Sequence, residues 1–221
     1  MSAATMIACA ADEIVLGKHS FLGPIDPQFV LSTRLGQRMV PAQAILEQFD
    51  RAKRECAEPS KLAAWVPMLD QYGPDILVQC ENASKLCEQI AGSWLATHMF
   101  RGQPDGQDLA ARIAAWLANH GHFRSHRRHI PRAELEERGM KISHLEADQA
   151  AQDLFLSVFH ATTHTFDGTP AVKIVENHLG RAFIKSLQVV PLAAPAPPGS
   201  PRLAPPEVSC ENRLHRPAWP A

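Results

Sequence analysis

The sequence has no long apolar run, no strong excess of charge of one sign and no paired cysteine motif. No stretch approaches the ~20 apolar residues that a membrane-spanning helix needs, and 22 Lys and Arg against 23 Asp and Glu leave a formal charge of −1. The five cysteines stand singly, which is typical of a reducing compartment. These absences argue against a global attraction to nucleic acid or to membrane surfaces. They predict a cytoplasmic chain without a membrane segment, although a longer form could carry an anchor.

What the chain does contain is enough apolar sequence for a core, since 45% of its 221 residues are hydrophobic. The first 80 residues mix helical and strand patterns, and residues 81–190 are mainly helical. Residues 191–221 hold nine of the eighteen prolines, interleaved with Ala, Gly and Ser. Such a segment cannot bury enough apolar surface to offset its ordering entropy, so it is predicted to be a disordered tail.

Apolar periodicity predicts a series of helices, over residues 42–56, 83–100, 107–119 and 131–139. The second half of this series carries helix-end signals, with Gly121 expected as the residue after the helix 107–119. Trp65-Val66-Pro67 predicts an irregular connection. Ser143-His144-Leu145-Glu146 matches a capping box, which predicts a helix running to about Phe159 or beyond.

The stretch "PAVKIVENHLGRAFIKS" after residue 169 predicts a hairpin that turns at His178-Leu179-Gly180. The alternative is a helix capped by Thr169-Pro170. Both remain open from the sequence, because the pattern is short.

The chain begins "MSAATMIACAADEIVLG", which predicts a helix of small apolar residues followed by a buried strand at Ile14–Leu16. Amino termini are usually polar and loosely held. A buried type of helix at the second residue therefore favours a chain that lacks an upstream portion, with the apolar face of that helix left uncovered.

The segment "SAATMIACAADEIVLGKHSFLGPIDPQF" resembles the region around the nucleophile in the serine dehydrogenase proteinase family, which is related to signal peptide peptidase A and the Clp protease. "QFDRAKRECAEPSKLAAWVPMLDQYGP" and "HATTHTFDGTPAVKIVENHLGRAFI" are similar to later blocks of that family, so the resemblance runs from residue 2 to about 186. It implies an α/β ClpP/crotonase-like core without its N-terminal strands. Residues 1–80 would be the C-terminal part of that core, and residues 81–190 a helical region of the same domain.

The resemblance also implies the site residues. Ser2 matches the nucleophile, at a helix N-terminus where the dipole favours developing negative charge, and the Ala3 N–H would supply one oxyanion donor. Without the resemblance, Ser2 reads more simply as a helix cap. The family's activity is hydrolysis of peptide bonds through an acyl-enzyme, with no cofactor or metal. A chain without the upstream oxyanion turn is expected to be inactive by itself.

The general base has two candidates. Some relatives of signal peptide peptidase A use a Lys at a spacing that matches Lys53, which is either desolvated for that purpose or simply extended into water. The serine dehydrogenase proteinases have instead been described with a Ser, Asp, His order. Here the Asp would be Asp26 or Asp12, and we take Asp26 and His129 as the candidates. The sequence does not select among the histidines, which are His120, His122, His126, His129 and His164.

The stretch "HGHFRSHRRHIPR" has two further interpretations. His122, His126 and His129 have a spacing that would suit metal ligands on a helix, but neighbouring arginines would repel a dication. A basic loop that contacts an anion or a neighbouring subunit is the favoured interpretation. Expected partners are a peptide or protein substrate and further copies of the chain. The alternative to an enzyme is a non-catalytic helical interaction or oligomerisation module.

Overall fold

A computed structural model of the chain describes residues 2–33, 36–187 and 214–215. They form a mixed α/β structure, as expected, and their sheets are small. The chain divides into unit 1, Met1–Gln149, and unit 2, Ala150–Ala221. The boundary between the units falls within the expected helical region 81–190. Apart from Leu214 and His215, the expected disordered tail lies outside the described residues.

Unit 1 surrounds the candidate site with seven helices and six strands among its described residues. In chain order they are α1 (Ser2–Cys9), β1 (Ile14–Leu16), β2 (Phe21–Leu22), β3 (Gln28–Thr33), β4 (Gly36–Pro41), α2 (Ala42–Glu55), α3 (Pro59–Leu69), α4 (Ile76–Thr97), α5 (Gly106–Ala118), α6 (His120–Phe123), β5 (Ile130–Pro131), α7 (Arg132–Glu137) and β6 (Ile142–His144).

Helix α1 and strand β1 occupy the predicted positions. Cys9 and Thr5 are buried on the face of α1 that packs against α4, whereas Ile7 is 72% exposed on the other face. The Thr5 hydroxyl donates to the Gly23 carbonyl (2.9 Å) and accepts from the Gly23 N–H (3.0 Å). These two bonds attach α1 to the loop that leads to Asp26.

The later helices of unit 1 follow the apolar periodicity. Helices α2, α5 and α7 match the predicted ranges closely, and α4 begins at Ile76 rather than 83. The prediction of an irregular connection at Trp65-Val66-Pro67 was wrong, because these residues lie within α3. Pro59 stands at the start of this helix, where its missing N–H costs nothing, and Trp65 is buried.

The strands of unit 1 form three two-stranded sheets. Strand β1 pairs parallel to β6 with Ile14 opposite Ile142, and β2 pairs antiparallel to β5 with Leu22 opposite Ile130. The hairpin β3–β4 was not predicted, and Gly36 at its turn takes a φ of +100° that favours glycine. The two long-range pairs join the start of the chain to its middle.

The core of unit 1 lies between α4 and α5, which make the most extensive helix contact. Leu95, Ile113, Leu117, Ile130 and Leu135 are fully or almost fully buried there. A smaller cluster covers one side of β3–β4, formed by Ala42, Ile45, Ile76 and Cys80.

The prediction that Gly121 follows the end of α5 was wrong. Helix α5 ends at Ala118, and the Asn119 side chain accepts a hydrogen bond from the His122 N–H (2.9 Å), which starts the short helix α6. Gly121 lies inside α6. The chain leaves α6 at Arg124, whose φ of 57° is left-handed.

The predicted capping box was also wrong, although the helix it was expected to open is present over Gln149–Gly168. Ser143 lies in β6, opposite Val15 of β1, and a 3₁₀ turn covers Leu145–Ala147. The Glu146 carboxylate accepts from the Arg132 guanidinium (2.8 Å) and from the Lys18 N–H rather than from the Ser143 N–H that a capping box requires. Pairing of β6 with β1 therefore overrides the local helix signal.

Unit 2 contains α8 (Gln149–Gly168), which starts at the unit boundary, and the strands β7 (Ala171–Glu176), β8 (Ala182–Ser186) and β9 (Leu214–His215). The predicted hairpin is confirmed, since β7 and β8 pair antiparallel and Gly180 turns with a φ of +68°. Strand β9 pairs with β8. Among the described residues no helix has the length and apolar character required to cross a bilayer.

Candidate functional site

Asp26 lies in the short connection between β2 and β3, and its side chain is 2% exposed. The connection is held on both sides of this residue. Ile25 is fully buried and donates its N–H to the Leu117 carbonyl (3.0 Å), and Gln28 begins β3. Asp26 is therefore placed at the C-terminal end of α5.

The Asp26 carboxylate receives three side-chain hydrogen bonds. Its Oδ2 lies 2.9 Å from His120 Nδ1 and 3.0 Å from Gln28 Nε2, and its Oδ1 lies 2.6 Å from His126 Nδ1. A carboxylate only accepts, so each imidazole donates through Nδ1. Nε2 of both rings is left as the unprotonated acceptor in the neutral tautomer, as a general base requires.

Local chain geometry brings both histidines to the same carboxylate. His120 is the first residue of α6, which Asn119 starts, and Arg124 ends α6 in its left-handed conformation. The Ser125 hydroxyl then accepts from the Arg127 N–H, and the Ser125 carbonyl accepts from the Arg128 N–H. These two hydrogen bonds turn the chain at His126. The side chains of His120 and His126 are 13% and 20% exposed, so their outer edges are partly accessible.

A cavity of about 220 Å³ lies beside this group. Its wall is formed by residues from the β2–β3 connection, α2, α4 and the end of α5, which are Asp26, Pro27, Gln43, Ser84, Glu88, Ala115, Ala118 and Asn119. The cavity therefore contains two carboxylates and one hydroxyl. The Ser84 hydroxyl donates to the Cys80 carbonyl (2.9 Å).

The cysteines close to these elements are suited to packing rather than to nucleophilic catalysis. Burial, together with the charge of Asp26, raises the pKa of the Cys87 thiol, and burial raises the pKa of Cys9 to about 12. Both thiols are therefore protonated at neutral pH, and the thiolate is the nucleophilic form. Cys9, Cys56, Cys80 and Cys87 are free, and Cys210 lies outside the described residues.

The structure places Ser2 at the first position of α1, with Ala3 exposed in the next position. Thr5, one turn further along, makes the two hydrogen bonds to Gly23 described above. Gly23 precedes Asp26 by three residues. Helix α1 and the connection that carries Asp26 are therefore attached to each other.

Lys53 and His129 are not brought to Asp26. The Lys53 side chain is 67% exposed and pairs with Asp50 (3.3 Å), so its ammonium is hydrated instead of desolvated. The exposed His129 ring stacks on Phe21, with 3.6 Å between ring centroids. Asp26 instead bonds to two other histidines of the same stretch.

The three histidines with metal-like spacing point to separate neighbours. His122 contacts Phe123 edge-on, His126 bonds to Asp26 and His129 stacks on Phe21. Within residues 2–33, 36–187 and 214–215, no group of three His, Cys, Asp or Glu side chains is suited to hold a metal ion.

His120 and His126 were among the five candidate histidines, but no local signal selects them. They lie 94 and 100 residues from Asp26 in sequence. The polar residue Asn119 just after α5 is a helix-start signal that could have indicated the turn of chain at His120.

No family model, no curated protein and no solved structure matches this chain in the three comparisons made with known proteins.

Proposed function

We propose that the chain is a ClpP/crotonase-like serine hydrolase of peptide bonds, with Ser2 as nucleophile and a histidine held by Asp26 as general base. The observation that supports this most directly is the pair of Nδ1 contacts on the buried Asp26 carboxylate. In a Ser-His-Asp arrangement the acid binds Nδ1 and leaves Nε2 for the serine proton. The resemblance of residues 2–29 to a serine peptidase family supplies the nucleophile.

In this mechanism His120 or His126 removes the proton from the Ser2 hydroxyl, which attacks the peptide carbonyl. The Ala3 N–H would donate to the oxyanion, and the protonated histidine would then give its proton to the leaving amine. Water, activated by the same histidine, would hydrolyse the acyl-enzyme. Asp26 would keep the imidazole in the required tautomer throughout.

The proposal uses His120 and His126 rather than Lys53 and His129. A lysine base needs a desolvated ammonium, and Lys53 is exposed and ion-paired. His129 lies three residues after His126 in the sequence, and its ring stacks on Phe21.

A fluorophosphonate probe tests the nucleophile, because it reacts with activated serines. We expect any labelling of the full chain to depend on Ser2, so that Ser2→Ala loses the label completely. Asp26→Asn should lower the labelling rate by about 10³- to 10⁴-fold, since the wrong tautomer is then favoured. The matched control is Ser84→Ala, which alters the cavity wall and leaves labelling unchanged.

Two results would overturn the proposal. Loss of the label in Ser84→Ala but not in Ser2→Ala would show that the reactive serine is Ser84 of α4 and not Ser2. A folded chain, verified by circular dichroism, that never reacts would exclude a serine hydrolase.

A second candidate function is self-association through α8, because none of the residues of this helix is buried. The large apolar side chains of its stripe are 38–70% exposed, and they are Leu154, Phe155, Val158, Phe159 and Phe166. The helical repeat places Asp153, His160 and His164 on the opposite side. Antiparallel pairing of two copies would set Phe155 against Thr162 and Phe166 against Ala151, large opposite small.

The size of this stripe favours a second copy as its partner. The exposed apolar side chains offer roughly 600 Å² in each copy, which approaches the ~800 Å² per partner of a stable interface. We expect concentration-dependent dimers in sedimentation velocity, which Phe155→Asp with Phe159→Asp abolishes. Ser157→Asp, on the polar side, is the control and should not change them. A chain that is monomeric at every concentration would exclude this candidate.

A further inference from the structure

The loop of residues 124–128, here called the arginine loop, presents three exposed guanidinium groups, those of Arg124, Arg127 and Arg128. No carboxylate of the described residues forms an ion pair with any of them. Arg132, four residues further on, is by contrast paired with Glu146. The arginine loop therefore has positive charge that unit 1 does not neutralise by direct contact.

The arginine loop is anchored at both ends and in its middle. Phe123 before it and Ile130 after it are buried. The Arg124 N–H donates to the His120 carbonyl (2.6 Å), and the Arg128 N–H donates to the Ser125 carbonyl (3.1 Å). In the middle, His126 is bonded to the buried Asp26. Because its backbone is already ordered, little entropy is lost when the loop binds a ligand.

The arginine loop contains His126 and is therefore connected directly to the candidate site. Arg127 and Arg128 directly follow His126, one of the two histidines on Asp26. A ligand that contacts His126 would therefore meet a stretch of chain that carries two exposed arginines, and guanidinium groups bind carboxylates in a bidentate manner.

We infer that the arginine loop binds a carboxylate side chain of a peptide substrate, so that the enzyme prefers acidic peptides. This inference rests on the proposed peptidase function. Asp26 and Glu88 in the cavity wall would repel an acidic group from the cavity itself. The acidic residue would therefore lie at the arginine loop, next to the residue that enters the cavity.

A peptide carboxylate suits the arginine loop better than a nucleic acid does. The chain has a formal charge of −1 and offers no long-range attraction to a polyanion. Beyond about 10 Å, salt at 0.1 M screens the three arginines. Three arginines whose charge acts only at short range can recognise a single carboxylate in direct contact with them.

Binding is tested with a fluorescein-labelled Glu-containing peptide and its Gln counterpart, by anisotropy on the full chain. We expect the Glu peptide to bind more tightly, and Arg127→Gln with Arg128→Gln to weaken it by about five- to tenfold. Lysine at both positions should restore part of the affinity. The matched control is Arg38→Gln with Arg54→Gln, which removes the same charge from exposed sites on β4 and α2 and leaves binding unchanged.

Equal binding of the two peptides, or equal loss in the control pair, would overturn the inference. Tighter binding of a single-stranded oligonucleotide at the same residues would also overturn it. Hydrolysis of both peptides at the same rate would leave the peptidase proposal intact while rejecting the acidic preference. Arginine-dependent binding of the Glu peptide without any hydrolysis would retain the carboxylate site and reject the peptidase.

Discussion

Asp26 and its three partners depend on one another. A buried carboxylate is costly unless hydrogen bonds replace its hydration, and here two imidazoles and the Gln28 amide do so. In turn, the carboxylate orients both rings. Burial of Asp26 is thus costly by itself and is offset by the same hydrogen bonds that orient the two rings.

Glu146 is a residue whose ionisation is linked to contacts that exist only in the folded chain. Hydrogen bonds from Arg132 and from backbone N–H groups lower the pKa of Glu146 to about 2, from an ordinary value near 4.5. A carboxyl with a depressed pKa in the folded state stabilises that state above its unfolded pKa, and the contribution is lost as the pH falls toward the folded pKa.

We therefore predict that Glu146→Gln lowers the free energy of unfolding at pH 7, and that its difference from the unmodified chain shrinks between pH 4.5 and about 2. Urea unfolding followed by circular dichroism at several pH values measures this. Glu137→Gln removes an exposed carboxylate of α7 and serves as the control. A difference that stays constant down to pH 2 would contradict the prediction.

At the scale of elements, the α4–α5 connection is the tightest point of unit 1. Gly106 is the buried first residue of α5, and a Cβ there would collide with the Phe100 carbonyl oxygen. Phe100 itself is 2% exposed and belongs to the core. The connection can lead this tightly into α5 only because residue 106 has no side chain.

Gly106→Ala should consequently destabilise the fold by about 1–3 kcal/mol, because the backbone must shift to relieve the overlap. The midpoint of urea unfolding reports the change. Gly168→Ala, where a Cβ meets open space, is the control and should be neutral or slightly stabilising. Similar midpoints for the two variants would show that the connection is looser than described.

The same elements show how far sequence patterns extend. Helices α2, α5 and α7 follow from signals within their own sequences, whereas the turn residues favoured the hairpin β7–β8 without excluding a helix. The capping box at Ser143 failed because β6 pairs with β1, about 128 residues away. A sequence pattern of a few residues carries no information about a strand that is so distant in sequence.

For the whole molecule, charge balance should control solubility. The sequence pI is about 6.8, and α8 presents its apolar stripe to solvent. Near the pI, little net charge opposes association through apolar surface.

We expect light scattering at fixed concentration to be highest near pH 6.8 and to fall toward pH 8.5, as the chain gains negative charge. The double substitution Phe155→Asp with Phe159→Asp should remove most of the maximum. Scattering independent of pH would mean that net charge does not limit association.

The sequence by itself determined the class of structure and most helices, and it offered the hairpin of unit 2 as one of two possibilities, since each of these depends on residue types and spacing within a short window. Only the tertiary structure decided which histidines meet Asp26, that Lys53 is hydrated and where Glu146 finds its partners. Those contacts join residues far apart in the chain. They exist because α5, α6 and the β2–β3 connection pack together, and no local pattern encodes that packing.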